Sequence, residues 1–97
     1  MLTSKQRAFL RGLANTADPI LHTGKSGISD TVIKQADDAL TARELIKGRV
    51  LEASPVPVRE MAQQIAEAVK AELVQVIGRT FVLYRRNPKE PVIKLPK

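Results

Sequence analysis

The order of helix-like and strand-like patterns is the strongest constraint on the fold of this chain. Apolar residues recur at helical spacing in three segments, and short runs rich in branched residues lie between and after them. The predicted order is helix, strand, helix, strand, helix, strand, strand. Alternating helices and strands favour parallel pairing, whereas two consecutive strands favour an antiparallel hairpin. The sequence therefore predicts an α/β (α+β) domain in which three helices pack on a four-stranded mixed sheet.

Capping residues give the predicted helix boundaries. Ser4 and Ser29 are expected to be the N-caps of the first two helices, and Pro57 suits the first position of the third. The third helix is expected to end near Ala71. Gly78 begins the two-residue connection between the last two strands, and a glycine at this position favours a type II′ turn.

The length of 97 residues supports a single domain. Its last part, from about 86 to 97, is rich in proline and basic residues and is predicted to be a loosely structured tail. No segment has the pattern of a signal peptide or a membrane span, so the cytoplasm is the expected compartment. The absence of cysteine excludes disulfides and thiolate metal sites.

The charge balance indicates the class of partner. Sixteen Lys and Arg residues stand against 10 Asp and Glu residues, which gives a formal net charge of +6. A strong positive field favours polyanions, either nucleic acid or an anionic membrane surface. A basic protein without such a partner is the alternative that charge alone leaves open.

The segment Gly24-Lys25-Ser26-Gly27 is the most informative local motif. It lies between a predicted strand and the N-terminus of a predicted helix, where unpaired N–H groups and the helix dipole favour phosphate. Glycines allow the backbone to approach a ligand closely, and Lys25 adds a positive charge. KH domains hold nucleic-acid backbones with a GXXG loop. Because many tight turns have the same spacing, the motif alone is a weak signal.

The residues of this region do not support a catalytic function. The residues Gly24-Lys25-Ser26 match the end of a nucleotide-binding P-loop, but the first glycine of that motif would fall on Pro19. Ser26 has no base beside it, and His22, the single histidine, has no nucleophile or metal-ligand set around it in sequence. We therefore expect no enzyme activity, cofactor or metal, no small-molecule substrate, and a structural role for His22.

The three aromatic residues bear on how a nucleic acid would be recognised. Phe9 and Phe81 lie in apolar patterns and are expected in the core, together with Met61, whereas Tyr84 is expected to be partly exposed. Base stacking needs exposed aromatic rings. The sequence therefore favours recognition of the backbone and shape of structured RNA over base stacking.

Four segments in a fixed order carry a family resemblance. Together they resemble a stand-alone bacterial CRM-domain protein of the YhbY type, and the resemblance extends from Leu2 to about Pro96. The segments are Leu2–Arg7 with Leu10–Ala14, Gly24–Ser29, Glu44–Lys47, and Val74–Thr80 continuing into Val82–Arg85.

This resemblance implies a fold like the C-terminal domain of translation initiation factor three, distantly similar to KH domains. It also implies RNA binding, since bacterial members are linked to precursors of the large ribosomal subunit and plant relatives occur in intron-splicing factors. By position, the family's RNA-binding loop maps onto Gly24, Lys25, Ser26 and Gly27. The basic surface around it maps onto Lys5, Arg11, Lys34, Arg79 and Arg85.

The expected function is therefore non-catalytic binding of ribosomal RNA during assembly of the large subunit, by a monomer. The alternative is a protein-interaction module that docks on ribosomal proteins or assembly factors. The third hypothesis is a phosphotransfer enzyme that uses Ser26, and the failed match to the P-loop motif disfavours it.

Overall fold

The computed structural model of the chain describes residues 2–23, 29–51, 56–89, 91 and 93–95. Within them the predicted order of elements is confirmed. The helices are α1 (Ser4–Ala14), α2 (Asp30–Arg43) and α3 (Val58–Val69), and the strands are β1 (Leu21–Thr23), β2 (Leu45–Val50), β3 (Glu72–Ile77) and β4 (Thr80–Tyr84).

The four strands form one mixed sheet in the order β1-β2-β4-β3. Strands β1 and β2 are parallel and β3 and β4 form an antiparallel hairpin, as the sequence predicts. Strands β2 and β4 also pair antiparallel. Thr23 pairs with Val50 where β1 and β2 end, and the Val50 N–H donates to the Arg79 carbonyl in the β3–β4 turn at 2.8 Å. We call this end of the sheet, where β1 and β2 terminate and the β3–β4 turn lies, the loop end. The far end carries Leu45 and Tyr84, which pair with each other.

Helix α1 begins with a capping box rather than at the predicted cap. Thr3, not Ser4, is the N-cap: its hydroxyl accepts from the Gln6 N–H at 3.1 Å, and the Gln6 side chain accepts from the Thr3 N–H at 3.0 Å. This reciprocal pair satisfies two backbone donors, which a cap at Ser4 would not do. The predicted cap of α2 is confirmed, since the Ser29 hydroxyl accepts from the Val32 N–H at 3.3 Å.

Helix α3 is slightly shorter than predicted. Pro57 is its N-cap and not its first helical residue, and the helix ends at Val69 because Lys70 adopts a left-handed conformation with φ 58°. In the hairpin that follows, Gly78 has φ 56° whereas Arg79 has no positive φ. Positive φ at the first central position alone is the signature of the predicted type II′ turn.

The main core lies between one sheet face and helices α2 and α3. Phe81 is fully buried there, as predicted, and its ring lies directly over Gly48 of the neighbouring strand. A Cβ atom at position 48 would stand 2.8 Å from both Cε atoms of that ring. The residues of this core include Leu21, Ala36, Leu40, Ile46, Val50, Met61, Ile65, Phe81 and Leu83.

A smaller core lies on the opposite face, which we call the α1 face. Leu10 and Ala14 of α1 pack against Val74, Val82 and Tyr84. Because Leu10 and Ala14 are four positions apart, they lie on the same side of the helix. Phe9 and Leu13, each one position earlier, point away from this core and are 39% and 40% exposed. The prediction that Phe9 lies in the core is therefore wrong.

Tyr84 is also placed differently from the prediction, because it is 4% exposed beneath α1. This burial raises the pKa of its hydroxyl above the ordinary 10.0; the nearby Glu44 carboxylate adds to the rise and Arg86 opposes it.

Glu44 connects the segment after β4 to the body of the domain. Its side chain is fully buried and accepts from the backbone N–H groups of Asn87 at 2.7 Å and Ile93 at 2.6 Å. Ile93 and Leu95 also pack against the smaller core. Part of the segment from 86 to 97 therefore has defined contacts with the sheet, while residues 90, 92, 96 and 97 lie outside the described residues.

Replacement of glycine by alanine is expected to have opposite effects on stability at Gly48, which contacts Phe81, and at the exposed Gly12. Gly48→Ala forces the Phe81 ring to move and should lower the free energy of unfolding by about 2 kcal/mol. Gly12→Ala, in an exposed helix position with no atom within 4 Å of the new Cβ, should raise it by about 0.5 kcal/mol. Urea unfolding followed by circular dichroism measures both. Equal stability of the Gly48→Ala variant and the parent chain would contradict the packing.

Candidate nucleic-acid interface

Helix α1 covers only the part of its sheet face that lies toward the far end. Near its start, Arg7 donates to the Leu73 carbonyl at 2.7 Å and lies 3.7 Å from the Glu72 carboxylate. At its last residue, the Ala14 carbonyl is 3.5 Å from the Lys47 ammonium group, in the middle of β2. A helix of 11 residues is about 16 Å long and cannot extend further. None of the described helices covers this face at the loop end.

Four side chains form a row across the uncovered part of the α1 face. His22 pairs with Arg49, Arg49 with Thr80, and Thr80 with Ile77. Since alternate residues of a strand share a face, all four point to the α1 side, opposite the main core. His22 and Arg49 are exposed, Thr80 is half-buried and Ile77 is 59% exposed. We call these residues the exposed row; with strands about 4.8 Å apart it spans about 14 Å.

The charge on this face is positive toward the loop end. Lys47 and Arg49 share the face on β2, and Arg79 lies in the adjacent turn. Among the described strand residues of the α1 face, the single carboxylate is that of Glu72, which lies at the far end beside Arg7. Among the described strand residues of this face, no carboxylate therefore lies at the loop end beside Lys47 and Arg49 of β2.

The predicted loop Gly24, Lys25, Ser26 and Gly27 lies outside the described residues. Both of its flanks are described. Thr23 ends β1 at the loop end of the sheet, and Ser29 caps α2. The described chain that leads into this segment therefore ends at the loop end of the sheet, where the exposed row lies.

The other predicted site residues are distributed over the whole domain. Arg79 lies at the loop end, in the β3–β4 turn. Lys34 is exposed on α2, on the opposite side of the sheet, and its ammonium group is 3.3 Å from the Asp38 carboxylate. Lys5 is exposed in the first turn of α1, toward the far end, and Arg11 is half-buried on the same helix. An RNA contact by each of these residues stays a prediction.

Arg85 is engaged inside the domain. Its guanidinium group donates to the Asp37 carboxylate at 2.6 Å, the Val69 carbonyl at 2.8 Å and the Thr41 hydroxyl at 2.9 Å. A fourth bond reaches the Asp37 carbonyl at 3.0 Å. These bonds tie the end of β4 to α2 and α3, so the structure gives this side chain a structural role, and its predicted RNA contact remains untested.

Sequence reasoning did not assign His22, Lys47 or Arg49 to the site. His22 was expected to be structural, yet its side chain is exposed in the row. The available signal was the alternation in β2, where Ile46 and Val50 are buried and Lys47 and Arg49 point the other way. That signal shows a shared face but not whether a helix covers it.

Comparisons with known proteins give consistent matches. A family model described as the CRS1 / YhbY (CRM) domain matches residues 2–85. The chain is 43% identical over 96 residues to "Probable RNA-binding protein YqeI" of Bacillus subtilis, covering 99% of this chain and 100% of that protein. It is 36% identical over 96 residues to an "RNA-binding protein" of Haemophilus influenzae, covering 99% of this chain and 96% of that one.

A solved structure has the same architecture. The solution structure of a hypothetical protein from Staphylococcus aureus superposes with a TM-score of 0.82 at 48% sequence identity, covering 99% of this chain and 100% of that one. In the described part of the present chain, no helix combines the length and apolar character that crossing a membrane requires.

The bonds of Arg85 predict a loss of stability when its side chain is removed. Arg85→Ala leaves the Val69 carbonyl and the Asp37 carboxylate without this donor, and should lower the free energy of unfolding by about 2 kcal/mol. Arg86→Ala, at the exposed neighbouring position, is the matched control and should change it by less than about 0.5 kcal/mol. Equal urea midpoints for the two variants would contradict the structural role.

Proposed function

The chain belongs to the CRS1/YhbY (CRM) domain family, and we propose that it binds ribosomal RNA in precursors of the large ribosomal subunit and assists their assembly. It is a non-catalytic member, like relatives named as RNA-binding proteins. The observation that carries the proposal is the uncovered loop end of the α1 face. There the exposed row lies at the end of the sheet where β1 terminates at Thr23, the residue that precedes the segment Gly24–Gly27 in the sequence.

Phosphate capture is the proposed mechanism. Arg49 and Lys47 supply positive charge on the sheet, and Arg79 supplies it from the β3–β4 turn. Lys25 adds a further cation two positions after the end of β1 in the sequence. The first N–H groups of α2 add donors where that helix begins, at Ser29. Each phosphate that is neutralised releases counterions, so the affinity should fall steeply with salt. Contacts of this kind orient the RNA without reading its sequence.

The choice of ribosomal RNA rests on the family resemblance, in which bacterial members are linked to precursors of the large subunit. A single domain with an RNA-binding edge and no catalytic role fits an assembly factor that holds an RNA segment in place. The proposal includes a monomeric protein and, since it acts on ribosome precursors, a cytoplasmic location.

A second candidate function is docking on a ribosomal protein or assembly factor. It is favoured by Phe9 and Leu13, which are 39% and 40% exposed and lie one turn apart on α1. Nuclease treatment of isolated precursor particles separates the two functions: a protein-mediated association survives the digestion, whereas an RNA-mediated one is lost.

The proposal predicts that charge reversal at the loop end weakens RNA binding. Lys25→Glu and Arg49→Glu should each lower the affinity for a transcribed fragment of large-subunit ribosomal RNA by about tenfold at fixed salt, since each removes a cation and adds an anion. The slope of log K against log salt should become shallower by about one. Fluorescence anisotropy measures both quantities.

Lys89→Glu is the matched control, because it makes the same charge change at an exposed residue two positions after the far-end contact between Asn87 and Glu44. It should retain most of the affinity. Unchanged binding by the Lys25→Glu and Arg49→Glu variants, or an equal loss in the Lys89→Glu variant, would refute a site localised at the loop end.

A further inference from the structure

A recess lies on the α1 face between the end of α1 and the β3–β4 hairpin. Its empty volume, including the open solvent at its mouth, is about 340 Å³. Val82, which is buried, and Ile77, which is exposed, provide apolar surface. The lining residues with polar groups are Asn15, Lys47, Gln75 and Thr80.

Two amide side chains in this recess make no hydrogen bond to another described residue. Asn15 caps the C-terminus of α1 with its backbone, and Gln75 is half-buried on β3. Across the described residues, neither side-chain amide makes an intramolecular hydrogen bond. The amides of Gln63 and Gln64, in contrast, each reach a glutamate carboxylate one turn away on α3. The unpartnered pair therefore retains its donors and acceptors for a ligand.

The chemistry of the recess fits the edge and face of a nucleobase. A side-chain amide presents one acceptor and a donor group side by side, which match adjacent groups on a base such as N6 and N7 of adenine. The apolar surface of Ile77 and Val82 can contact the flat face of the base. Lys47 lies at the recess and Arg49 two residues further along β2, so cations stand where the attached phosphates would lie.

From this arrangement we infer that the recess binds an unpaired base of the bound RNA. Asn15 and Gln75 contact the edge of the base, Ile77 contacts its face, and Arg49 holds an adjoining phosphate. Sequence-specific RNA recognition generally targets unpaired bases in this way. The inference rests on the proposed function and extends it, since the scarcity of aromatic residues had favoured recognition of backbone and shape alone. The positive rim favours RNA over an apolar protein segment as the occupant.

Two probes separate base recognition from phosphate binding. The first is a fluorescein-labelled oligoadenylate, and the second is an abasic oligomer of the same length, which keeps the phosphates and lacks the bases. The parent protein should bind the oligoadenylate about tenfold more tightly than the abasic oligomer at fixed salt. The double variant Asn15→Ala with Gln75→Leu should bind both with the affinity that the parent shows for the abasic oligomer.

Gln35→Ala is the matched control, since Gln35 is exposed on α2, on the other side of the sheet. It should bind both probes like the parent. The double variant should keep the urea midpoint of the parent, because neither amide has a hydrogen bond to lose among the residues that the structure describes.

The outcomes distinguish the inference from the proposed function. Equal binding of both oligomers by the parent overturns the base site and leaves phosphate-based RNA binding intact. An equal loss for both oligomers in the double variant also overturns the base site. Failure of the parent to bind either oligomer or a large-subunit RNA fragment overturns the proposed function together with the inference.

Discussion

Packing of helix α1 against one end of its sheet face determines which strand residues a partner can reach. Leu10 and Ala14 fix the helix over Val74 and Tyr84, and Arg7 fixes its start beside β3. The helix ends in the middle of the sheet, so the residues at the loop end keep their exposure. A helix extended by two turns would cover the exposed row, and the proposed interface would be lost.

Contacts on the opposite face of the sheet and at the far end hold the loop end in place. Phe81 packs over Gly48 on the main-core face, and the neighbouring pair in the same register is Arg49 with Thr80 of the exposed row. At the far end, Arg85 ties β4 to α2 and α3, and the buried Glu44 carboxylate holds the segment after β4. These polar networks thus lie at the far end, whereas the exposed Arg49 lies at the loop end. This division suits a scaffold that presents a fixed basic surface to a polyanion.

The sequence predicted the order of elements, the mixed sheet and the type II′ turn, because these depend on local patterns such as strand alternation and the position of Gly78. It did not predict that Phe9 is exposed or that Tyr84 is buried, because each depends on where α1 crosses the sheet. For the same reason the sequence did not predict the exposure of Arg49 and His22, which none of the described helices covers. The segment Gly24–Gly27, the strongest prediction of a site, lies outside the described residues and rests on sequence and connectivity.

The most direct test of this account is to map the RNA contact on the backbone amides of isotope-labelled protein by nuclear magnetic resonance. A fragment of large-subunit ribosomal RNA would be added stepwise at fixed salt. If RNA binds at the loop end, the largest shift changes fall at His22, Arg49 and Thr80. Changes at Leu45 and Glu72, at the far end, are small. Changes concentrated at the far end, or spread evenly over both ends, would contradict binding at the loop end.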